Sequence, residues 1–282
     1  MKSLKFKSNN FYKNLQKTLD KRNFSVDIKI KKNFSKIIDN VKKKGDDALI
    51  YYTKKFDNIN INKKKLRVNI DSIYKNTNVD KKILKSFKTA IKNITKFHKK
   101  QFPNDIVYRN NDINLISQWK PIESVGLYIP GGNAFYPSSL IMNVVPAKIA
   151  GVKRIVCATP PTKNINPYLI RLLKELAIEE IYFIGGAQAI AALSLGTDRI
   201  QPVNKIFGPG NSYVAEAKKQ LFGKVGIDLI AGPSEIIVVA DNNNNPKWVA
   251  SDLMAQAEHD INAQSILITD NIDFAKKVQE QI

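Results

Sequence analysis

The sequence predicts an α/β fold with mainly parallel sheets, arranged as two Rossmann-like domains plus an N-terminal helical arm. Three observations lead there. From Asn114 onward, strand-like apolar runs alternate with helix-like ones, the pattern of parallel sheets covered on both faces. Turns rich in glycine follow several of those strand-like runs, where open sheets of this kind receive ligands. The Asn-rich stretch after Asp241 reads as a loop and a domain crossing.

The elements follow in order. Phe11, Leu15 and Leu19 fall at i, i+4 and i+8 and mark an amphipathic arm over residues 1–29. Two short helices, NFSKIIDNVKKKG and DDALIYYTKKF, meet at Gly45, which stops the first, and Asp46, which caps the second. LRVNI reads as a strand. Residues 80–100 form the clearest helix, with Ile83, Leu84, Phe87, Ala90, Ile91, Ile94 and Phe97 on one face. His98 lies in its last turn, where a surface histidine suits the helix dipole. Strands are expected at LISQW, SVGLYI, RIVCAT, IYFI, NKIF, EIIVVA and SILIT. Helices are expected at SSLIMNVVPAKIA, NPYLIRLLKELAI, AQAIAALSL, SYVAEAKKQLF and PKWVASDLMAQAEH, with Pro146 kinking or delaying the first of these. The first Rossmann-like domain is expected over 30–128 plus 238–282, and the second over 129–237.

Composition narrows the function. The 282 residues carry a formal net charge of +20, which suggests nucleic acid, but the charge is unevenly placed. Residues 1–100 hold 29 Lys and Arg against 8 Asp, whereas residues 101–282 hold 16 basic and 17 acidic residues. The basic third is almost entirely lysine, while bidentate arginine is the better phosphate reader. A solvated lysine surface is expected, with no specific nucleic-acid role. No run approaches the length of a membrane span, and no apolar signal core follows the basic N-terminus. A single cysteine, Cys157, sits in the apolar run RIVCAT. It reads as core packing in a reducing, cytoplasmic setting.

The chemistry-bearing turns are YIPGGNAFYPSS, IGGAQAIAAL, FGPGNSYVAEAKK and IAGPSEI. In the first three, glycine precedes a helix, so backbone can approach a ligand closely and free helix amides favour an anion. A dinucleotide pyrophosphate is the natural candidate, although none of the turns matches G-x-G-x-x-G. Tyr128, Gln188 and Asn211 can bond a carboxamide or ribose, and Ser138 and Ser139 are placed to cap a helix. DLMAQAEHD gathers Gln256, Glu258, His259 and Asp260. Gln256 and His259, three residues apart, share a helix face. By spacing alone this is either a metal-binding pair or a polar helix end, and an amide oxygen is an uncommon zinc ligand.

Taken together and in order, YIPGGNAFYPSSLIMNVVPAKIAGV, GGAQAIAALSLGT, GPGNSYVAEAKK, GIDLIAGPSEI and DLMAQAEHD resemble histidinol dehydrogenase, as does the earlier VKKKGDDALIYYTKKFD. The resemblance covers residues from about 30 to 270. It implies NAD-dependent, zinc-assisted oxidation of L-histidinol through histidinal to L-histidine by a cytoplasmic homodimer. On it, Tyr128, Gln188 and Asn211 contact NAD, Ser234 contacts substrate, and Gln256 and His259 bind zinc and substrate. The family's proton-transfer pair, an adjacent Glu and His, lies downstream of AQAEHD, with two further zinc ligands beyond it. His98 and His259 are the two histidines here, so no catalytic residue is assigned. The chain is expected to represent roughly the first two-thirds of such an enzyme, and to be a fragment, an interrupted frame or a decayed gene. Three alternatives compete. One is a non-catalytic protein retaining the NAD surface, and another is a basic nucleic-acid-binding module. The third is a metallohydrolase using Glu258, which lacks the H-E-x-x-H pattern.

Overall fold

The structure is a computed structural model that describes residues 3–20, 28–74, 77–131, 136–230, 234–258 and 263–282. The chain divides into two compact units, Val26–Ile230 and Met1–Ser25 with Ala231–Ile282.

The larger unit opens with helices α1 to α5 of the chain, less α1 (Phe11–Asp20), which falls in the smaller unit. Helices α2 (Ile28–Lys44) and α3 (Asp46–Asp57) turn about Gly45, whose φ of 51° is left-handed. Phe34, Ile37 and Val41 bury one stripe of α2, and Ala48, Leu49 and Tyr52 one stripe of α3. A short turn at Lys63–Lys65 leads to α4 (Ile70–Tyr74) and α5 (Lys81–Lys99). Asp80 caps α5 by accepting from the Lys82 amide at 2.7 Å. The expected strand LRVNI is instead split between the end of that turn and the start of α4. Leu66 and Val68 still touch the sheet edge through Phe183 N–H to Leu66 O and Val68 N–H to Ile181 O. One antiparallel bridge, Arg67 to Tyr182, is all that forms, because Ile70 already enters the next helix.

Next come a hairpin of β1 (Ile106–Asn110) and β2 (Ile113–Ser117), then β3 (Ser124–Tyr128), α6 (Pro137–Ile149), β4 (Arg154–Thr159) and α7 (Pro167–Glu175). They are followed by β5 (Glu180–Phe183), α8 (Gly186–Leu195), β6 (Lys205–Phe207), α9 (Ser212–Leu221) and β7 (Gly226–Ile227). LISQW therefore belongs to an antiparallel hairpin whose first strand was not expected. The central sheet is parallel throughout, in the order β5-β4-β3-β6-β7. The period of two along β4 places Val156 and Ala158 in the core beneath α2, α3, α8 and α9. Cys157 faces the opposite core, with α6 and α7, where burial pushes its thiol up to about 12. Helix α6 runs through Pro146 from a start at Pro137.

The expected boundary between 128 and 129 does not separate two bodies. Strand β3, which ends at Tyr128, is hydrogen-bonded on both sides within the central sheet, and α2 packs on α8 and α9. A strand held by two ladders cannot belong to another unit than its neighbours. The chain re-enters the smaller unit at Ala231, ahead of the polar stretch near Asp241. That unit contains β8 (Glu235–Val239), α10 (Pro246–Ala257), β9 (Gln264–Ile268) and α11 (Ile272–Gln279). Strands β8 and β9 pair in parallel, and Val249, Ala250, Leu253, Phe274 and Val278 form the core between them and the two helices. The Asn-rich stretch is a turn in which Asn245 caps α10, its side chain accepting from the Lys247 amide.

Candidate functional site

The chain leaves β3 in one direction to build β4 and β5, then returns past β3 to build β6 and β7. The direction of winding reverses between β3 and β6, and an open parallel sheet has its binding crevice beyond the carboxyl ends of the strands at that reversal. Tyr128 is the last residue of β3, and Gly208 follows directly on β6. Gly208 has a φ of +118°, and a Cβ there would lie 2.0 Å from the Tyr128 carbonyl oxygen. Only glycine lets the two strand ends approach this closely.

Tyr128 also meets the third turn of the site. Its hydroxyl accepts the Gly186 N–H at 3.1 Å, tying the end of β3 to the start of α8. The phenol is buried and its ionisation is pushed up to about 12, chiefly by that burial; the Gly186 bond opposes the shift and the nearby charge of Asp57 adds to it. Tyr128 is therefore a neutral donor throughout the physiological range. Gln188, in the first turn of α8, is 1% exposed, and its Oε1 is buried with no hydrogen-bond partner among the described residues. Such an atom costs stability unless something occupies it. Asn211 is the N-cap of α9. Its Oδ1 accepts from the Tyr213 and Val214 amides at 3.1 and 3.2 Å, which leaves its amide nitrogen for other partners. Around Tyr128 the structure thus gathers the starts of two helices, a neutral hydroxyl and a partnerless amide oxygen. That set suits a neutral or anionic ligand bearing both donors and acceptors, as a dinucleotide does.

One clamp escaped the sequence reading. Lys218 on α9 is 3% exposed. Its Nζ donates to the Gly208 carbonyl and, at 2.8 Å, to Asp228 Oδ1. Asp228 Oδ2 in turn accepts the Gly208 N–H at 2.8 Å. Both backbone groups of Gly208 are held by one buried ion pair. In the sequence, nothing sets Lys218 apart from the adjacent Lys219 within SYVAEAKKQLF. A second omission is Asp57, the last residue of α3, half-buried, with an Oδ2 that has no partner among the described residues. Burial raises its carboxyl to about 6.

Other expected residues fare differently. Ser138 and Ser139 do not cap α6, whose N-cap is Tyr136 with no side-chain bond and with Pro137 at the first position. Residues 132–135 of that turn lie outside the described residues. In the smaller unit, Ser234 is exposed just before β8, and its carbonyl accepts the Gln264 N–H at 3.2 Å. Gln256 is half-buried in the last turn of α10, which ends at Ala257 with Glu258 as an exposed C-cap. His259 and Asp260 lie outside the described residues, and so does the pairing of Gln256 with His259. Among the described residues, no three His, Cys, Asp or Glu side chains gather as a metal site, and no helix is long and apolar enough to cross a membrane.

Comparison with known proteins agrees with this arrangement. The family model for histidinol dehydrogenase matches residues 20–282. Histidinol dehydrogenase of Agrobacterium fabrum is 52% identical over 245 residues, covering 86% of this chain and 57% of that protein. Histidinol dehydrogenase of Gluconobacter oxydans is 48% identical over 249 residues, covering 87% and 58%. A crystal structure of histidinol dehydrogenase from Elizabethkingia anophelis superposes with a TM-score of 0.80 at 38% identity, covering 89% of this chain and 58% of that one. The chain thus spans a little under three-fifths of the length of these relatives.

Proposed function

The chain belongs to the histidinol dehydrogenase family, and from that premise we propose that it serves the NAD-dependent oxidation of L-histidinol through histidinal to L-histidine. The observation that supports this best is the reversal of strand order at Tyr128, with the Gly208 turn and the α8 start closed around it. On this reading Tyr128, Gln188 and Asn211 bind NAD. Tyr128 donates a proton to a ligand acceptor, and Gln188 Oε1 finds the donor it lacks. The helix starts at Gly186 and Ser212 turn partial positive charge toward the pyrophosphate. Gly208, held by Lys218 and Asp228, keeps the backbone close.

Ser234, Gln256 and His259 are proposed to meet the substrate, and Gln256 with His259 to hold zinc. Zinc would anchor the substrate through its imidazole and amine. The described residues supply one of these donors, the Gln256 amide, which is an uncommon zinc ligand, so no step is derived through the ion. Hydride transfer needs a base for the hydroxyl proton. The family resemblance gives that work to a second Glu–His pair downstream of Glu258–His259, these 282 residues hold no histidine after His259, and the exposed Glu258 is not assigned it.

A homodimer is part of the proposal. Ile106, Tyr108, Ile113 and Leu115 share one face of the β1–β2 hairpin and are each more than half exposed. An apolar face of that kind calls for cover. The buried free Cys157 suits a reducing cytoplasm, and the lysine-rich first third is read as a solvated surface.

The test is a titration of the purified 282-residue chain with NAD, followed by tyrosine and tryptophan fluorescence, beside an assay of NADH absorbance with L-histidinol and zinc. Saturable NAD binding that weakens in Tyr128→Phe is expected, without sustained NADH formation. Absence of NAD binding by a folded chain would sink the proposal. Robust turnover would show that this chain carries its own base.

A further inference from the structure

Asp57 is placed where a carboxylate gains little from the fold. It closes α3, and the C-terminal end of a helix disfavours negative charge. The next residue, Asn58, turns away in the left-handed region at φ 55°. The carboxylate is half-buried and its Oδ2 is enclosed without a partner. A structural carboxylate is ordinarily matched by amides or cations; this oxygen has neither among the described residues. Burial holds the group at about 6, so it is charged at neutral pH in a setting that resists the charge. Costs of this kind collect at functional sites.

Its surroundings indicate which function. Helix α3 packs against α8, the helix that carries Gln188. Asp57 lies close enough to Tyr128 for its charge to raise the phenol. The Tyr128 hydroxyl accepts from Gly186, and no acceptor for its own proton is found among the described residues. A neutral donor at the end of β3 and an orphan anionic acceptor at the end of α3 are thus electrostatic neighbours. A hydroxyl serves both through one atom, accepting the tyrosine proton and donating its own to the carboxylate.

We infer that Asp57 is a dinucleotide-contacting residue, its carboxylate accepting a hydrogen bond from a ribose hydroxyl that itself accepts the proton of Tyr128. The inference rests on the NAD reading above and extends it to a residue from outside the strand–turn–helix units. Its place corresponds to no glycine turn, which is why turn-based reading of the sequence passes over it. The bond is charge-assisted and partly shielded from water, so it contributes strongly to affinity.

The experiment measures the affinity of NAD, AMP and nicotinamide mononucleotide for the wild-type chain, Asp57→Asn and Asp57→Ala, together with the melting temperature of each without ligand. Asp57→Ala should weaken NAD by about ten-fold or more, the scale of a hydrogen bond to a charged group, and Asp57→Asn by less. Only the mononucleotide containing the contacted ribose should lose affinity in parallel, and its deoxyribose analogue should bind wild type and variant equally. Neither variant should melt lower than wild type. Wild-type-like NAD affinity in a folded Asp57→Ala overturns the inference. So does a uniform loss for both mononucleotides with a lower melting temperature, which marks a structural role. A wild-type chain that ignores NAD overturns the NAD reading and this inference with it, whereas a binding wild type beside an unaffected variant overturns the inference alone.

Discussion

Gln188 and Asp57 show how single residues can be costly to the fold and still belong in it. The Gln188 side chain is enclosed, and its Oε1 has no donor among the described residues. Leaving such an atom unmatched costs about 1–3 kcal/mol, and an apolar group of similar shape avoids that cost. Gln188→Leu should therefore melt about 3 °C higher without ligand, since about 1 kcal/mol corresponds to about 2–4 °C at this chain length. The same variant should bind NAD about ten-fold more weakly. Differential scanning fluorimetry with and without NAD reads both effects; a variant that melts lower and binds as wild type would contradict the role given to Gln188. Asp57 adds a pH dependence. Its carboxyl is raised by burial from 3.8 to about 6 in the fold. The folded chain therefore holds the proton more tightly than the unfolded chain between those values, and stability falls as pH rises through them. The contribution is fully present below about 3.8 and is gone above about 6. Asp57→Asn should thus match wild type in melting temperature near pH 4 and exceed it near pH 7.5 by about 2 °C, a figure kept small because the group is half-solvated. Equal melting temperatures at both pH values would show that the carboxyl is not strained.

Among the elements, the turn between β6 and α9 is held at both backbone groups of Gly208 by the Lys218–Asp228 pair. Lys218 is 4% exposed at its side chain and Asp228 20%. Breaking a buried pair by removing one partner costs about 3–5 kcal/mol, somewhat less here because Asp228 retains some solvent. Lys218→Met should lower the melting temperature by about 6 °C or more and loosen the Gly208 turn enough to weaken NAD. Pairing it with Asp228→Leu should restore much of the stability but not the affinity, since the turn then lacks its tether. A double variant as unstable as the single one would argue that the clamp is not a pair. This clamp also marks the limit of the sequence reading. The alternation of SVGLYI, RIVCAT, IYFI and NKIF with helical runs was legible because a strand buried on both faces must be apolar throughout. The turns beyond those strands were legible because glycine marks close approach. Lys218 was not, because its partner stands ten residues away on the far side of β7 and a lone lysine resembles any solvated one. LRVNI misled for the opposite reason. Leu66, Arg67 and Val68 do reach the edge of β5, yet the chain enters α4 at Ile70 before a ladder can form. The domain division was illegible as well, because nothing in the composition of 30–128 reveals that α2 packs on α8 and α9.

At the scale of the whole molecule, the excess charge marks a solvated surface and the bare apolar surface points to a partner. The lysine surplus lies in residues 1–100, whereas the candidate site is built mainly from elements beyond them. The apolar surface is more specific. In the β1–β2 hairpin, Tyr108 stands opposite Leu115, with Ile106 and Ile113 on the same face two residues along each strand. The opposite face carries Val107 and Ile116 but also Arg109 and Asn114. The register thus puts four apolar residues on one face, with Asn110 and Ser117 at its ends, and two on the other, and slipping it by a residue would exchange the faces. An isolated two-stranded sheet is at best marginally stable in water, and this one is exposed on both faces. If its apolar face closes against a second copy of the chain, a charge placed at its centre must oppose association. Leu115→Lys should then shift the chain from dimer to monomer in sedimentation velocity at micromolar concentration, with the central sheet and NAD affinity intact. Arg109→Ala, on the mixed face, should leave the dimer in place. A wild-type chain that sediments as a monomer at every concentration would remove the dimer from the proposal. A dimer indifferent to Leu115→Lys would keep it but move its interface away from the hairpin.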